Sequence, residues 1–176
     1  MQWLAFLITA ILTVTVQTTL APALTVGGVR PDFILIAVIF FALHGRGLDA
    51  VIAGWALGFA ADLQSVQRFG LMALCYALVA YGVYAIRPYL FRRHPLAHFL
   101  VTFVSGLLVY SLLLSVTRIE AAMWGGSARG GWGLAFWVSL YSACFAPFVQ
   151  RLLLMFSSAL GLETPTYSHV RVLRMN

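Results

Sequence analysis

Apolar residues in this chain arrive in long runs, not in the strict alternation that marks a half-buried strand. Six runs stand out, at 3–24, 31–44, 48–63, 69–86, 96–116 and 132–151. A helix needs about 20 predominantly apolar residues to cross the ~30 Å hydrocarbon core of a bilayer. The second and third runs fall short of that length, and the second reads as a short span or a re-entrant piece. The breaks between runs carry ordinary helix punctuation. Pro22 marks the end of the first run, and Gly27 and Gly28 lie in the loop after it. Pro31 sits where a first helical residue needs no amide donor, and Asp32 faces the positive end of the next helix dipole. His44-Gly45-Arg46-Gly47 reverses the chain, 64–68 is a polar turn, and Arg87-Pro88 ends the fourth run. The fifth is followed by a glycine-rich loop, 117–131. Arg151 interrupts the sixth, and 152–176 reads as an interfacial helix followed by a cytoplasmic tail.

Composition turns the pattern into a class. Of 176 residues, 62% are hydrophobic and 9% are charged. A soluble domain carries about 25% charged residues, so a water-facing surface cannot be built from this chain. The expectation is an all-α polytopic membrane protein in a single domain. The first run lacks a basic leader and is long for a signal peptide, so it is read as an uncleaved span. No internal repeat is evident, which argues against an inverted-repeat transporter.

The net charge of +6 comes from eleven basic residues, all of them arginine. They lie singly or in pairs between apolar runs, so they point to membrane topology and not to nucleic acid. With six spans and the N-terminus inside, the cytoplasmic segments hold Arg46, Arg87, Arg92, Arg93, Arg151, Arg171 and Arg174. The external segments hold Arg30, Arg68, Arg118 and Arg129. The bias places both termini in the cytoplasm; a second run that failed to span would put them on opposite sides.

Few residues suggest chemistry. Ala50, Gly54, Gly58 and Asp62 recur at every fourth position, on one face of the third run. Gly54 and Gly58 make a GxxxG pair, which permits close helix approach. Asp62 has two readings: an acid that binds a proton or ligand, or an interfacial acid that caps a helix or pairs with Arg68 or Arg30. Its place at the end of its run favours the second. Arg30-Pro31-Asp32 can hold a small anion at a helix N-terminus, but such a triplet more often simply starts a helix. His94 and His98 have i, i+4 spacing, yet Pro95 intervenes and no third ligand is near, so a metal site is not favoured. Pro147 should kink the sixth helix, with Ser142 and Gln150 available to satisfy the freed backbone groups. Gln17 can bond to another helix and Arg151 can snorkel. Cys75 and Cys144 read as small apolar side chains. No nucleophile elbow, phosphate loop or zinc-protease motif is present, so no enzymatic activity and no cofactor is expected.

Three segments carry a resemblance: Arg30-Pro31-Asp32 with the apolar run after it, Gly54-x-x-x-Gly58-Phe59-Ala60-Ala61-Asp62, and Phe69-Gly70-Leu71-x-Ala73-Leu74-x-Tyr76. In order and spacing, across about 30–93, they resemble the rod shape-determining protein MreD family. The resemblance implies a six-helix membrane fold similar to the substrate-binding subunits of energy-coupling-factor vitamin transporters. It implies a non-enzymatic scaffold in the bacterial cytoplasmic membrane that works with MreC, with RodA and with RodA's penicillin-binding transpeptidase partner. A homodimer and contact with membrane lipid are further expectations, and a vitamin-binding transporter subunit is the alternative. The expected helix-packing or interaction set is Ala50, Gly54, Gly58, Asp62 and Gly70. The outer polar set is Arg30, Pro31, Asp32 and Arg68, and the cytoplasmic basic loop is Arg87, Arg92 and Arg93.

Overall fold

The computed structural model describes residues 3–45, 48–65, 69–89, 95–124 and 131–159. They form six α-helices: α1 (Trp3–Ala23), α2 (Phe33–His44), α3 (Leu48–Gln64), α4 (Leu71–Ile86), α5 (Pro95–Trp124) and α6 (Trp132–Ala159). A single 3-10 turn, Arg87–Tyr89, closes α4. By length and composition, α1, α5 and α6 are able to cross a membrane, while α2 and α4 are shorter apolar helices.

The bundle is organised around its shortest member. α2 has 12 residues, about 18 Å at the usual rise, and every residue from Phe33 to Leu43 is buried. α1, α3, α4, α5 and α6 all touch it. The run expected to be a short span or a re-entrant piece is therefore an enclosed central rod. Its sequence is apolar on every side because every side meets protein.

The outer surface is reversed relative to a soluble protein. Leu7, Ile11, Ile52, Trp55, Leu78, Leu108, Trp137 and Phe148 are exposed, while Thr13, Asp32, Asp62, Thr102, Ser105, Ser139, Ser142 and Gln150 are buried. Lipid accepts the apolar exterior, and the polar groups turn inward towards partners. Hydroxyls on the helices are mostly satisfied one turn back, as in the bonds from Thr13 to the Thr9 carbonyl and from Ser139 to the Ala135 carbonyl.

Several boundaries differ from expectation. α2 starts at Phe33, with Pro31 ahead of the Asp32 cap and not at the first helical position, and α4 starts at Leu71. The ends of α5 and α6 move furthest. α5 continues to Trp124, so 117–124 belongs to the helix and not to the glycine-rich loop. Thr117 escapes its polarity by donating to the Leu114 carbonyl at 3.0 Å. α6 passes through exposed Arg151 to Ala159 without a separate interfacial piece before that point. Pro147 lies inside it, but the expected helpers serve elsewhere or not at all. The Ser142 hydroxyl accepts from α2, and the buried Gln150 amide has no hydrogen-bond partner among the described residues.

α3 and α4 pack through glycine. A Cβ added at Gly54 would lie 2.6 Å from the Ala80 Cβ, and one at Gly58 would lie 2.6 Å from the Ala73 Cα. A Cβ at Gly82 would meet nothing within 4 Å. Gly58→Ala should therefore lower the melting temperature in mild detergent, at a cost of about 1–3 kcal/mol for overpacking. Gly82→Ala should leave it unchanged or raise it, and equal melting of the two variants would contradict the close approach.

Candidate functional site

A helix start leaves amide groups with no partner inside the helix. At the start of α2 those groups lie inside the bundle, and side chains from the surrounding helices meet them. Asp32 is the N-cap, its carboxylate Oδ1 accepting from the Leu35 amide at 3.0 Å. Gln17 of α1 accepts from the Phe33 amide at 2.8 Å and donates to the Pro31 carbonyl at 3.4 Å. The Ser142 hydroxyl of α6 accepts from the Asp32 amide at 2.8 Å. The remaining carboxylate oxygen, Oδ2, accepts from two tyrosines, Tyr76 of α4 at 2.5 Å and Tyr110 of α5 at 2.8 Å. One residue so gathers α2, α4, α5 and α6, and its neighbour Gln17 brings in α1.

The far end of α2 is tied as well. The Gly45 amide returns to the Phe41 carbonyl, and the Arg87 guanidinium donates to the Gly45 carbonyl. A Cβ at Gly45 would lie 2.5 Å from the Phe41 carbonyl oxygen, so glycine is required for the turn to close this tightly.

Asp62 performs a similar task one helix away. Its carboxylate accepts from the amides of Gly70, Met72 and Ala73, each at 3.0 Å. It is 1% exposed and caps α4 from the last turn of α3. Gly70 is the backbone N-cap there, with φ +94°, a left-handed conformation that glycine adopts without strain. Although expected among the packing positions, Gly70 has open space where a Cβ would go. Its role is conformational.

Beyond the Asp32 cluster lies a cavity of about 480 Å³. Asp32 and Gln17 themselves line it, and the other polar residues of its wall are Thr18, Arg30, Gln64, Ser65, Tyr76 and Tyr110. The last turns of α1 and α3 and the first turns of α4 form its sides. The neighbouring α1–α2 connection is held by Val26 and Val29, which exchange backbone bonds at 3.1 and 3.0 Å around Gly27 and Gly28, both at positive φ.

Comparison with known protein families decides the classification. The family model described as rod shape-determining protein MreD matches residues 1–156. The chain belongs to the MreD family. No curated protein and no solved structure matches it. The MreD match runs from α1 into the last turns of α6, well beyond the 30–93 segment that carries the resemblance in sequence. Membership makes this a membrane protein with a role in rod shape determination.

Within this MreD-family chain the expected residues separate into distinct places. Asp32 and Pro31 are buried at the α2 start, while Arg30 is exposed at the cavity. Ala50, Gly54 and Gly58 are buried in contacts within the chain, Ala50 near Gly45 and the two glycines against α4. Arg87 reaches the other end of α2. Arg68, Arg92, Arg93 and His94 lie outside the described residues. Tyr76 and Tyr110 were not anticipated as site residues. They stand 44 and 78 positions from Asp32, and a tyrosine in an apolar run carries no local sign of its partner.

The two acids predict different responses to amide replacement. The hydroxyls facing Asp32 can turn to accept from an asparagine amide, whereas the backbone amides facing Asp62 can only donate. Asp62→Asn should therefore destabilise the protein more than Asp32→Asn does, each donor left unmet costing about 1–3 kcal/mol. Thermal unfolding of the two variants in the same detergent checks the order, and the reverse order would refute the assigned partners.

Proposed function

We propose that this MreD-family chain is a non-enzymatic scaffold of the bacterial cell-elongation complex in the cytoplasmic membrane. It binds MreC and supports peptidoglycan synthesis by RodA and its penicillin-binding transpeptidase partner. The observation that carries this reading is how the buried acids are used. Both carboxylates accept hydrogen bonds from protein donors that join helices. A membrane enzyme or a proton relay would aim such groups at a substrate or a water path. Here they make a rigid body with an apolar flank, suited to lateral helix packing.

In this reading all six helices pass through the membrane domain, in an arrangement akin to the six-helix binding subunits of energy-coupling-factor transporters. Both termini are cytoplasmic, following the arginine bias, so the α2 start and its cavity face outward. The GxxxG face is occupied by α4, which leaves the partner to pack on another side of the bundle. A second reading, a vitamin-binding transporter subunit, draws its support from the cavity, whose size falls in the ~300–1,000 Å³ range of small-molecule sites.

A tagged chain extracted in mild detergent separates the two readings. The scaffold reading expects MreC to co-purify at near-stoichiometric yield. Recovery of an ATPase module in place of MreC would sink it and favour the transporter subunit.

A further inference from the structure

The cavity lining has an unusual division of hydrogen-bonding capacity. Thr18 commits its hydroxyl proton to the carbonyls of Val14 and Thr15, and Ser65 commits its own to the Asp62 carbonyl. Tyr76 and Tyr110 both donate to Asp32, and the Gln64 amide donates to the Ala60 carbonyl. The four hydroxyls therefore keep oxygen lone pairs and no uncommitted proton, while Gln64 keeps its carbonyl oxygen as an acceptor and one N–H as a donor. At the start of α2 the Phe33 and Leu35 amides are already engaged by Gln17 and Asp32. The cationic donor of the lining is Arg30, which is exposed.

A ligand complementary to such walls carries an oxyanion for the guanidinium and several N–H or O–H donors for the oxygens. A planar guanidinium binds phosphate oxygens in a two-pronged way. The cavity opens where α1 and α3 end and α4 begins, the level at which a spanning bundle meets phospholipid headgroups.

We infer that this cavity binds a phosphate-bearing headgroup rich in hydroxyl or ammonium donors, with the phosphate on Arg30 and the donors on Thr18, Gln64, Ser65 and the tyrosine oxygens. The inference depends on the chain spanning a bilayer but not on which partners it has. The same chemistry exists in a phosphatidylglycerol headgroup and in soluble glycerol 3-phosphate.

The test is native mass spectrometry of the delipidated full chain in mild detergent, titrated with phosphatidylglycerol or with glycerol 3-phosphate. Arg30→Gln should weaken binding about tenfold, the equivalent of one strong charge-assisted contact. Arg118→Gln should bind like the unaltered chain, because Arg118 lies over the Trp132 ring, 5.7 Å from its centroid, and not on the cavity. Arg30-dependent retention of phosphatidylglycerol alone supports a lipid occupant. Arg30-dependent binding of glycerol 3-phosphate supports the same chemistry from a soluble source. Equal binding by the chain and Arg30→Gln, or equal loss in Arg118→Gln, would overturn the inference. Unchanged thermal unfolding of Arg30→Gln shows that the readout is binding and not folding.

Discussion

A helix buried within a membrane protein cannot leave its ends to water, and this requirement shapes the whole chain. In hydrocarbon an unpartnered backbone amide or carbonyl costs several kcal/mol. Burial of apolar side chains offers little compensation there, because lipid tails are as apolar as leucine. α2 is short, central and apolar on all sides, so its ends are the places where the fold can fail. Asp32, Gln17, Ser142, Tyr76 and Tyr110 hold one end, and Gly45 with Arg87 holds the other.

The same constraint explains the use of small residues. With α2 fixed, α3 and α4 can seat beside it only by close contact, which Gly54 and Gly58 permit. α5 and α6 meet in a similar way, since a Cβ at Gly106 would lie 2.9 Å from the Ser139 hydroxyl oxygen. Dispersion contacts between backbones then supply the cohesion that water would otherwise drive. Asp32 and Asp62 belong to this mechanical scheme, in a chain whose family is described by its role in rod shape.

Much of the architecture is legible in the sequence because lipid enforces simple rules. Apolar run length finds the six helices, and the four-residue spacing from Ala50 to Asp62 marks a packed face. Pro31-Asp32 signals a helix start through its own chemistry. What the sequence hides is long-range pairing. Tyr76 and Tyr110 look like any aromatic residue in a span, and their shared acceptor is visible only once α4 and α5 stand beside α2. Gly54 and Gly58 announce a close contact but not whether the neighbour is α4 or a partner chain. Helix ends mislead where polar residues bond back to their own turn, as Thr117 does, so α5 outruns its expected limit. Gly70 shows the opposite error: a glycine beside a packing motif is present for its backbone angle.

Amide hydrogen exchange of the chain in lipid nanodiscs tests the central claim directly. The first amides of an ordinary helix exchange quickly because nothing within the helix holds them. Here the Phe33 and Leu35 amides are held by Gln17 and Asp32 deep in the bundle. They should exchange as slowly as the middle of α2. Rapid exchange at Phe33 and Leu35 beside a protected helix centre would show that the start of α2 is open to water, and the account would fail.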